Sequence, residues 1–408
     1  MGKYGSFLWA HAVNRCAFLI EKGDARMKIV TAIDSFKGSM SSQVANEIVK
    51  KYLPNHEVEI FPIADGGEGT VEVFVELEDG EILSQPMTSV NNRPDQGHWG
   101  WVEKSQTAII EAAEGAGLIK ADAATLHPRN HTSFGMGEQI IQALDKGAET
   151  IILGLGGTST VDGGIGMLQA LGCVFYNADR EPLPVLPIDL KSVEDIDVSG
   201  MDSRLKNTAI VLASDVTNPL CGLQGAAYVF GEQKGLAASE LASYDEAMGH
   251  YRNVVEKVTG RNEGDSAGAG AAGGIGFALL SFFDCSFESG FELLARRGNL
   301  EDKIKSADLV ISGEGRFDSQ SLQGKVPIGI SRMAKKHRVP TVLFVGKAED
   351  GLISLPEENI AAIIPIVDAP MSLEEAMNNG PRLLGQAVER AFQLIGIGME
   401  ISDGSGDE

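Results

Sequence analysis

Three observations predict an α/β fold. Short β-branched runs end in turns rich in glycine and acid, as in "KIVTAID" (Lys28 to Asp34), "TIILGLGG" (Thr150 to Gly157) and "ADLVISGEG" (Ala307 to Gly315). Stretches with helical apolar spacing follow such runs. The strand–helix rhythm is clearest near the two ends of the chain, whereas the middle carries shorter alternating runs such as "HWGWVE" and "TAIIEAA". A chain of 408 residues has the length of about two domains. The sequence thus predicts two α/β domains. One is a Rossmann-like parallel-sheet domain formed by both termini, residues 27–84 and 290–400. The other is an α/β mixed-sheet domain inserted between them, residues 85–289. Residues 1–26 read as an N-terminal extension outside the fold, and residues 401–408 as a flexible acidic tail.

In the first segment, "KIVTAID" predicts a buried strand. Ser41 and Ser42 can cap the helix that follows, in which Val44, Ala45, Ile48, Val49 and Tyr52 fall on one face. Pro54 and Asn55 stop it, and "VEIFPIAD" predicts a second strand ending at Asp65. Gly66, Gly67 and Gly69 then lead into a helix through Leu77. Alternation of strand and helix is the unit of a parallel sheet. In the inserted segment, Thr132 or Ser133 can cap a helix ending at Gly147. A strand delivers Gly156 and Gly157, a helix closes at Gly172, and "NTAIVLASDV" gives another strand ending at Asp215. Near the C-terminus, strands at 307–315, 340–346 and 361–368 alternate with helices at 328–337 and 383–395.

The formal net charge of -23 argues against nucleic acid as a partner, because that binding needs a basic footprint. No apolar run reaches the roughly 20 residues needed to span a membrane. The four cysteines show no metal-ligand spacing and read as reduced thiols of a cytoplasmic protein. The residues do not give the oligomeric state, and a homodimer stays open.

In open parallel sheets, ligands bind beyond the carboxyl ends of strands, where Asp34, Asp65, Glu314 and Asp368 are predicted to lie. Each is by itself an ordinary turn former or helix cap. Several on one edge, beside glycines, point to a pocket. "ADGGEGT" brings Asp65, Gly66 and Gly67 to a helix start, where backbone N–H groups can meet an anion; Asp65 could also hold Mg²⁺ or act as a base. "GLGGTSTVDGG" is the strongest local signal. Gly156, Gly157, Thr158 and Ser159, followed by Asp162, offer N–H groups and hydroxyls to a phosphate or carboxylate. The alternative is that these glycines only permit close packing. "GAGAAGG", with Gly268 and Gly270, fits the dinucleotide pattern by letter, but no strand precedes it. Lys37, Asp215 and Asn218 stand in loops at the same predicted rim. Nucleophilic triads lack support. Anion-holding turns beside hard oxygen ligands suit phosphoryl transfer, in which the protein positions its substrates and neutralises charge.

"AIDSFKGSMSS", "ADGGEGT", "LGGTSTVDGGIGMLQALG", "SDVTNPL", "GAGAAGGIGFAL" and "ISGEGRFDSQSLQGKVP" together resemble the type-1 glycerate kinase family, from Met27 to about Met399. The resemblance implies two α/β domains, one inserted in the other, with the site in a cleft. It implies ATP-dependent phosphorylation of D-glycerate with Mg²⁺, commonly to 2-phosphoglycerate, with 3-phosphoglycerate as the other product, in glyoxylate or sugar-acid breakdown. Carried over to this sequence, Asp65 and Asp318 become candidates for base or metal work, with Glu314 a further metal candidate. Arg316 and Lys325 are set to stabilise the glycerate carboxylate or the transferring phosphoryl group. Gly66, Gly67, Gly156, Gly157, Thr158, Ser159, Gly268 and Gly270 would face the nucleotide or its phosphates, and Lys37, Asp162, Asp215 and Asn218 the substrate. Val161 departs from the family pattern, which often carries Asn there; valine offers no side-chain hydrogen bond. An NAD-dependent oxidoreductase and a non-catalytic sugar-acid sensor are the rival readings.

Overall fold

The computed structural model describes residues 26–64, 66–67, 69–187, 189–318, 321, 326–349 and 357–403, with side chains to residue 397. The expected N-terminal extension lies outside the described residues except for Arg26. So do Asp65, Lys325 and the last five residues of the expected tail.

The chain forms two compact units, Met1–Ala64 with Leu294–Glu408, and Asp65–Leu293. The first crossing thus falls at 64/65, earlier than the expected 84/85. The reason is visible in the helix Thr70–Leu77. Its Val71 and Val75 side chains sit against Gly100, and its Val71 N–H is bound by Glu111, so it packs on the inserted segment.

In the first unit, strand β1 (Lys28–Ile33) is followed by the helix Ser42–Tyr52 and by β2 (Glu57–Ile60). Ser41 caps that helix, its hydroxyl accepting the Val44 N–H at 3.3 Å. β2 is shorter than expected and ends before Pro62, which has no N–H to give a ladder. Strands β3 (Glu81–Thr88), β4 (Pro94–Val102), β5 (Thr107–Glu111), β6 (Thr150–Gly154), β7 (Val174–Tyr176), β8 (Asp195–Asp197), β9 (Ala209–Ala213) and β10 (Cys285–Glu288) follow in the second unit. The chain returns to the first unit with β11 (Leu309–Phe317), β12 (Thr341–Ala348) and β13 (Ile360–Pro365).

The first unit holds a five-stranded sheet in the order β13-β12-β11-β1-β2, with every pair parallel. One face buries Ile29, Ile33, Ile311 and Phe344 against Ala45 and Val49 of the helix Ser42–Tyr52 and Leu384 and Val388 of the helix Gly380–Asp403. The other buries Phe317, Leu343 and Val345 against Ile328. Burial of β-branched and aromatic residues on both faces is what a parallel sheet requires. The last helix runs to Asp403, so residues 401–403 of the expected tail are helical.

The second unit holds a six-stranded mixed sheet in the order β10-β9-β6-β5-β4-β3. β3, β4 and β5 pair antiparallel, while β5, β6, β9 and β10 are parallel. β7 and β8 form a separate antiparallel pair. Trp99, Ile110, Met136, Leu153, Tyr251 and Phe277 belong to its core, and Val161 is buried there too. The fold is the predicted mixed α/β class. Among the described residues no helix is long and apolar enough to cross a membrane.

Candidate functional site

The carboxyl edge of the parallel sheet in the first unit gathers Asp34, Glu314, Arg316 and Asp318. Asp34 follows β1; its N–H donates to the Gly313 carbonyl at 2.9 Å, and its carboxylate accepts the Ser35 N–H at 2.6 Å. Glu314 lies next along β11 and is buried. Gly315 runs beside Phe36 and Lys37: a Cβ there would lie 3.7 Å from the Lys37 nitrogen. This places the exposed Lys37 loop along the end of β11. Arg316 is exposed and reaches Asp318, with Nε 3.1 Å from Oδ2. Asp318 in turn accepts the Ser321 N–H through Oδ1 at 3.3 Å, and its own N–H donates to the Ser321 hydroxyl at 3.1 Å. That reciprocal pair closes the turn after β11 and holds the Asp318 carboxylate beside the guanidinium. Asp368, after β13, lies 4.0 Å from Arg390.

The carboxyl edge in the second unit gathers Gly66, Gly67, Glu111, Gly156, Gly157 and Asp215. The Gly66–Gly67 segment lies directly on the strand ends. The Gly156 N–H donates to the Gly66 carbonyl at 3.2 Å. A Cβ on Gly154 would meet Gly66 oxygen at 2.6 Å, and one on Gly156 would meet Gly67 Cα at 2.5 Å. These glycines are therefore required by backbone packing, whatever else they do. Gly157 stands at the exposed tip of the turn with φ +71, and Leu118 N–H holds its carbonyl at 2.8 Å. Asp215 is exposed past the end of β9. Asn218 ties its own loop, its amide donating to the Gln224 carbonyl at 2.8 Å and its carbonyl accepting Gly270 N–H at 2.9 Å.

Three expected contacts have internal partners. Asp162 is fully buried, and its oxygens accept the Ser133 N–H (3.0 Å), the Ser133 hydroxyl (2.7 Å) and the Gly164 and Gly166 N–H groups (3.0 and 3.4 Å). It ties two helix starts together. Gly268 and Gly270 are buried; a Cβ on Gly268 would strike the Phe287 ring at 2.5 Å, and one on Gly270 the Pro219 carbonyl. They belong to a packing loop.

Two residues with strong features lay outside the sequence reading. Glu111 ends β5, nearly buried, and accepts the Val71 N–H at 2.8 Å. Burial pushes its carboxyl up to about 7, against the pull of that hydrogen bond. Lys234 is 3% exposed, and burial pushes its ammonium down to about 7, with Asp162 opposing. The signal for Glu111 was a lone acid inside the apolar run "TAIIEAA"; Lys234 had none, because a lysine in "GEQKG" reads as solvated.

Each of the two α/β units carries glycine turns and charged side chains at the carboxyl edge of its parallel strands, the edge at which open α/β sheets bind their ligands. The chain matches the glycerate kinase family over residues 29–396. It is 39% identical over 377 residues to a glycerate 2-kinase of Escherichia coli K12, covering 91% of this chain and 99% of that protein. It is 39% identical over 380 residues to a glycerate kinase of Bacillus subtilis 168, covering 92% and 98%. A crystal structure from Salmonella typhimurium LT2 described as a glycerate kinase 2 aligns with a TM-score of 0.78 at 36% identity, over 92% of this chain and all of that one. The chain belongs to the glycerate kinase family, and it is a kinase. A kinase of this family uses ATP as its phosphate donor.

Proposed function

We propose that the protein transfers the γ-phosphoryl group of ATP to the 2-hydroxyl of D-glycerate, giving 2-phosphoglycerate, in the cytoplasmic breakdown of glyoxylate or sugar acids. The observation that carries this reading is the similarity to a protein named glycerate 2-kinase along nearly its whole length. Phosphoryl transfer asks the protein for positioning and for neutralisation of charge, with little covalent chemistry of its own. The carboxylates Asp65 and Asp318 are the candidates to receive the hydroxyl proton as the oxygen attacks in line. Arg316, beside Asp318, and Lys325 supply positive charge for the glycerate carboxylate or the moving phosphoryl group. Of the turn Gly156, Gly157, Thr158 and Ser159, the Gly157 and Thr158 N–H groups and the Thr158 hydroxyl are offered to an anion, while Gly156 and Ser159, whose N–H groups go to the Gly66 and Ala116 carbonyls, shape the turn. Lys37 and Asp215 stand at the two strand-end loops as substrate contacts.

Among the described residues no group of three or more metal-ligating side chains is assembled. Mg²⁺ is commonly bound by one or two carboxylates together with substrate phosphates and water. Asp65 or Glu314, each a hard oxygen donor of the required kind, would hold it. When bound, Mg²⁺ would neutralise phosphate charge.

The test is product analysis. Enzyme, D-glycerate and Mg-ATP are incubated, and the phosphoester is read by ³¹P NMR. A 2-phosphoester is expected. A 3-phosphoester would correct the regiochemistry, and the absence of any glycerate ester would remove the reading.

A further inference from the structure

Lys234 sits in the turn between the helices Ala226–Phe230 and Leu241–Thr259, inside the second unit. Its Nζ donates to the Thr158 hydroxyl at 3.0 Å and to the Thr160 carbonyl at 2.9 Å. A charged lysine is seldom taken out of water unless it is paired. Here its two partners belong to one turn, the one whose tip is Gly156–Gly157. The Ser159 N–H is already given to the Ala116 carbonyl at 2.8 Å, and the Gly156 N–H to Gly66. Among the described residues, no backbone partner is found for the Gly157 and Thr158 N–H groups.

The hydroxyl chemistry decides the polarity. An ammonium can only donate, so Thr158 Oγ1 must accept from Lys234. The hydroxyl's own proton is then free to be given elsewhere. With the Gly157 and Thr158 N–H groups it makes a set of donors on one turn, backed by a buried positive charge, which is the composition of an oxyanion site. A neutral amine could accept from Thr158 instead, and the donor would be lost.

We propose that Lys234 is a positioning residue that fixes the Thr158 hydroxyl as a donor to an oxyanion of the substrates, a phosphate of ATP or the carboxylate of glycerate. This deepens the kinase reading and rests on it. Other groups act on the same turn. Asp162 raises the tendency of Lys234 to stay charged. His131 Nδ1 lies 3.4 Å from the Ser159 carbonyl, and burial pushes this imidazole down, towards the neutral form. Tyr251 is held neutral by burial. A bound oxyanion would favour the charged lysine, so binding near neutral pH takes up a proton.

The test uses Lys234→Met, Lys234→Arg, Thr158→Val and Thr158→Ser in the full chain, each checked for native circular dichroism. KM for ATP and KM for D-glycerate are measured separately. Lys234→Met and Thr158→Val are expected to raise one of the two by about tenfold or more, the scale of one lost charge-assisted bond. The KM that moves names the oxyanion. Their combination is expected to be no worse than either alone, and Thr158→Ser and Lys234→Arg are expected to recover affinity. In the wild type that KM is expected to rise as pH climbs above neutrality, and in Lys234→Met to stay level. Calorimetry with inorganic phosphate and with D-glycerate reads the turn without turnover. Loss of binding in both Lys234→Met and Thr158→Val sustains the proposal even if the wild type proves inactive as a kinase. Folded Lys234→Met and Thr158→Val with wild-type affinities for both probes overturn it. If Lys234→Met fails to fold, Thr158→Val and the wild-type pH profile decide alone.

Discussion

The Ser133 hydroxyl donates to the Asp162 carboxylate at 2.7 Å while accepting the Met167 N–H at 2.9 Å. Residues far apart in sequence are thereby locked in the core, and the start of the helix Phe134–Lys146 is fixed to the start of the helix Ile165–Ala170. Asp162→Ala strands the Ser133 donors and two glycine N–H groups. At about 1–3 kcal/mol for each stranded group, a loss of several kcal/mol of stability is expected. Ser133→Ala should cost less, about 1–2 kcal/mol. Chemical denaturation midpoints check both. An unchanged midpoint with only KM altered would return Asp162 to substrate contact.

Glu111 gives a pH signature. In the unfolded chain its carboxyl titrates at its ordinary 4.5, whereas in the fold it is raised to about 7. Below 4.5 it is protonated in both states and costs nothing. As pH rises from there through about 7, the unfolded state ionises first and folding stability falls. Glu111→Gln keeps an acceptor for Val71 N–H and removes the titration. The variant is expected to gain on the wild type between pH 5 and pH 8, by an amount on the order of 2 kcal/mol. Parallel melting curves across that range would contradict the assignment.

The glycines separate into two kinds. Gly156→Ala drives a Cβ into Gly67 Cα, backbone against backbone. A loss of about 1–3 kcal/mol is expected, together with lower turnover from the displaced turn. Gly249, inside the helix Leu241–Thr259, has open space around its Cβ position and no positive φ. Gly249→Ala is expected to stabilise by roughly 0.5–1 kcal/mol. Thermal melts of the pair test the packing argument; equal effects would refute it.

Asp318 is held by Ser321 and Arg316 at the end of β11. Asp318→Asn keeps the shape and removes the charge. Turnover is expected to fall by about a hundredfold or more, the scale of acid–base assistance, with the melting temperature nearly unchanged. Near-normal turnover would shift that work to another carboxylate.

Much of the fold was readable because single signals controlled it. "KIVTAI", "LVIS" and "TVLFV" are β-branched runs buried on both faces, and each forms a strand of the parallel sheet. β2 is shorter than "VEIFPIAD" suggests because the run stays apolar beyond the point where Pro62 ends the ladder. The site was less legible. Whether a glycine serves a ligand or a neighbouring backbone depends on partners remote in sequence, as Gly66 and Ala213 are. The roles of Asp162 and Lys234 likewise arise only when Ser133 and Thr158 are brought beside them by the fold. An isolated acid or lysine in sequence carries no record of its burial.

ATP-dependent phosphorylation of glycerate is read most directly in a coupled ADP-release assay with Mg-ATP and D-glycerate. ADP release is expected to depend on glycerate and to equal the phosphoglycerate formed, mole for mole. ATP binding by the folded protein without glycerate-dependent ADP, beside an active control kinase, would contradict it.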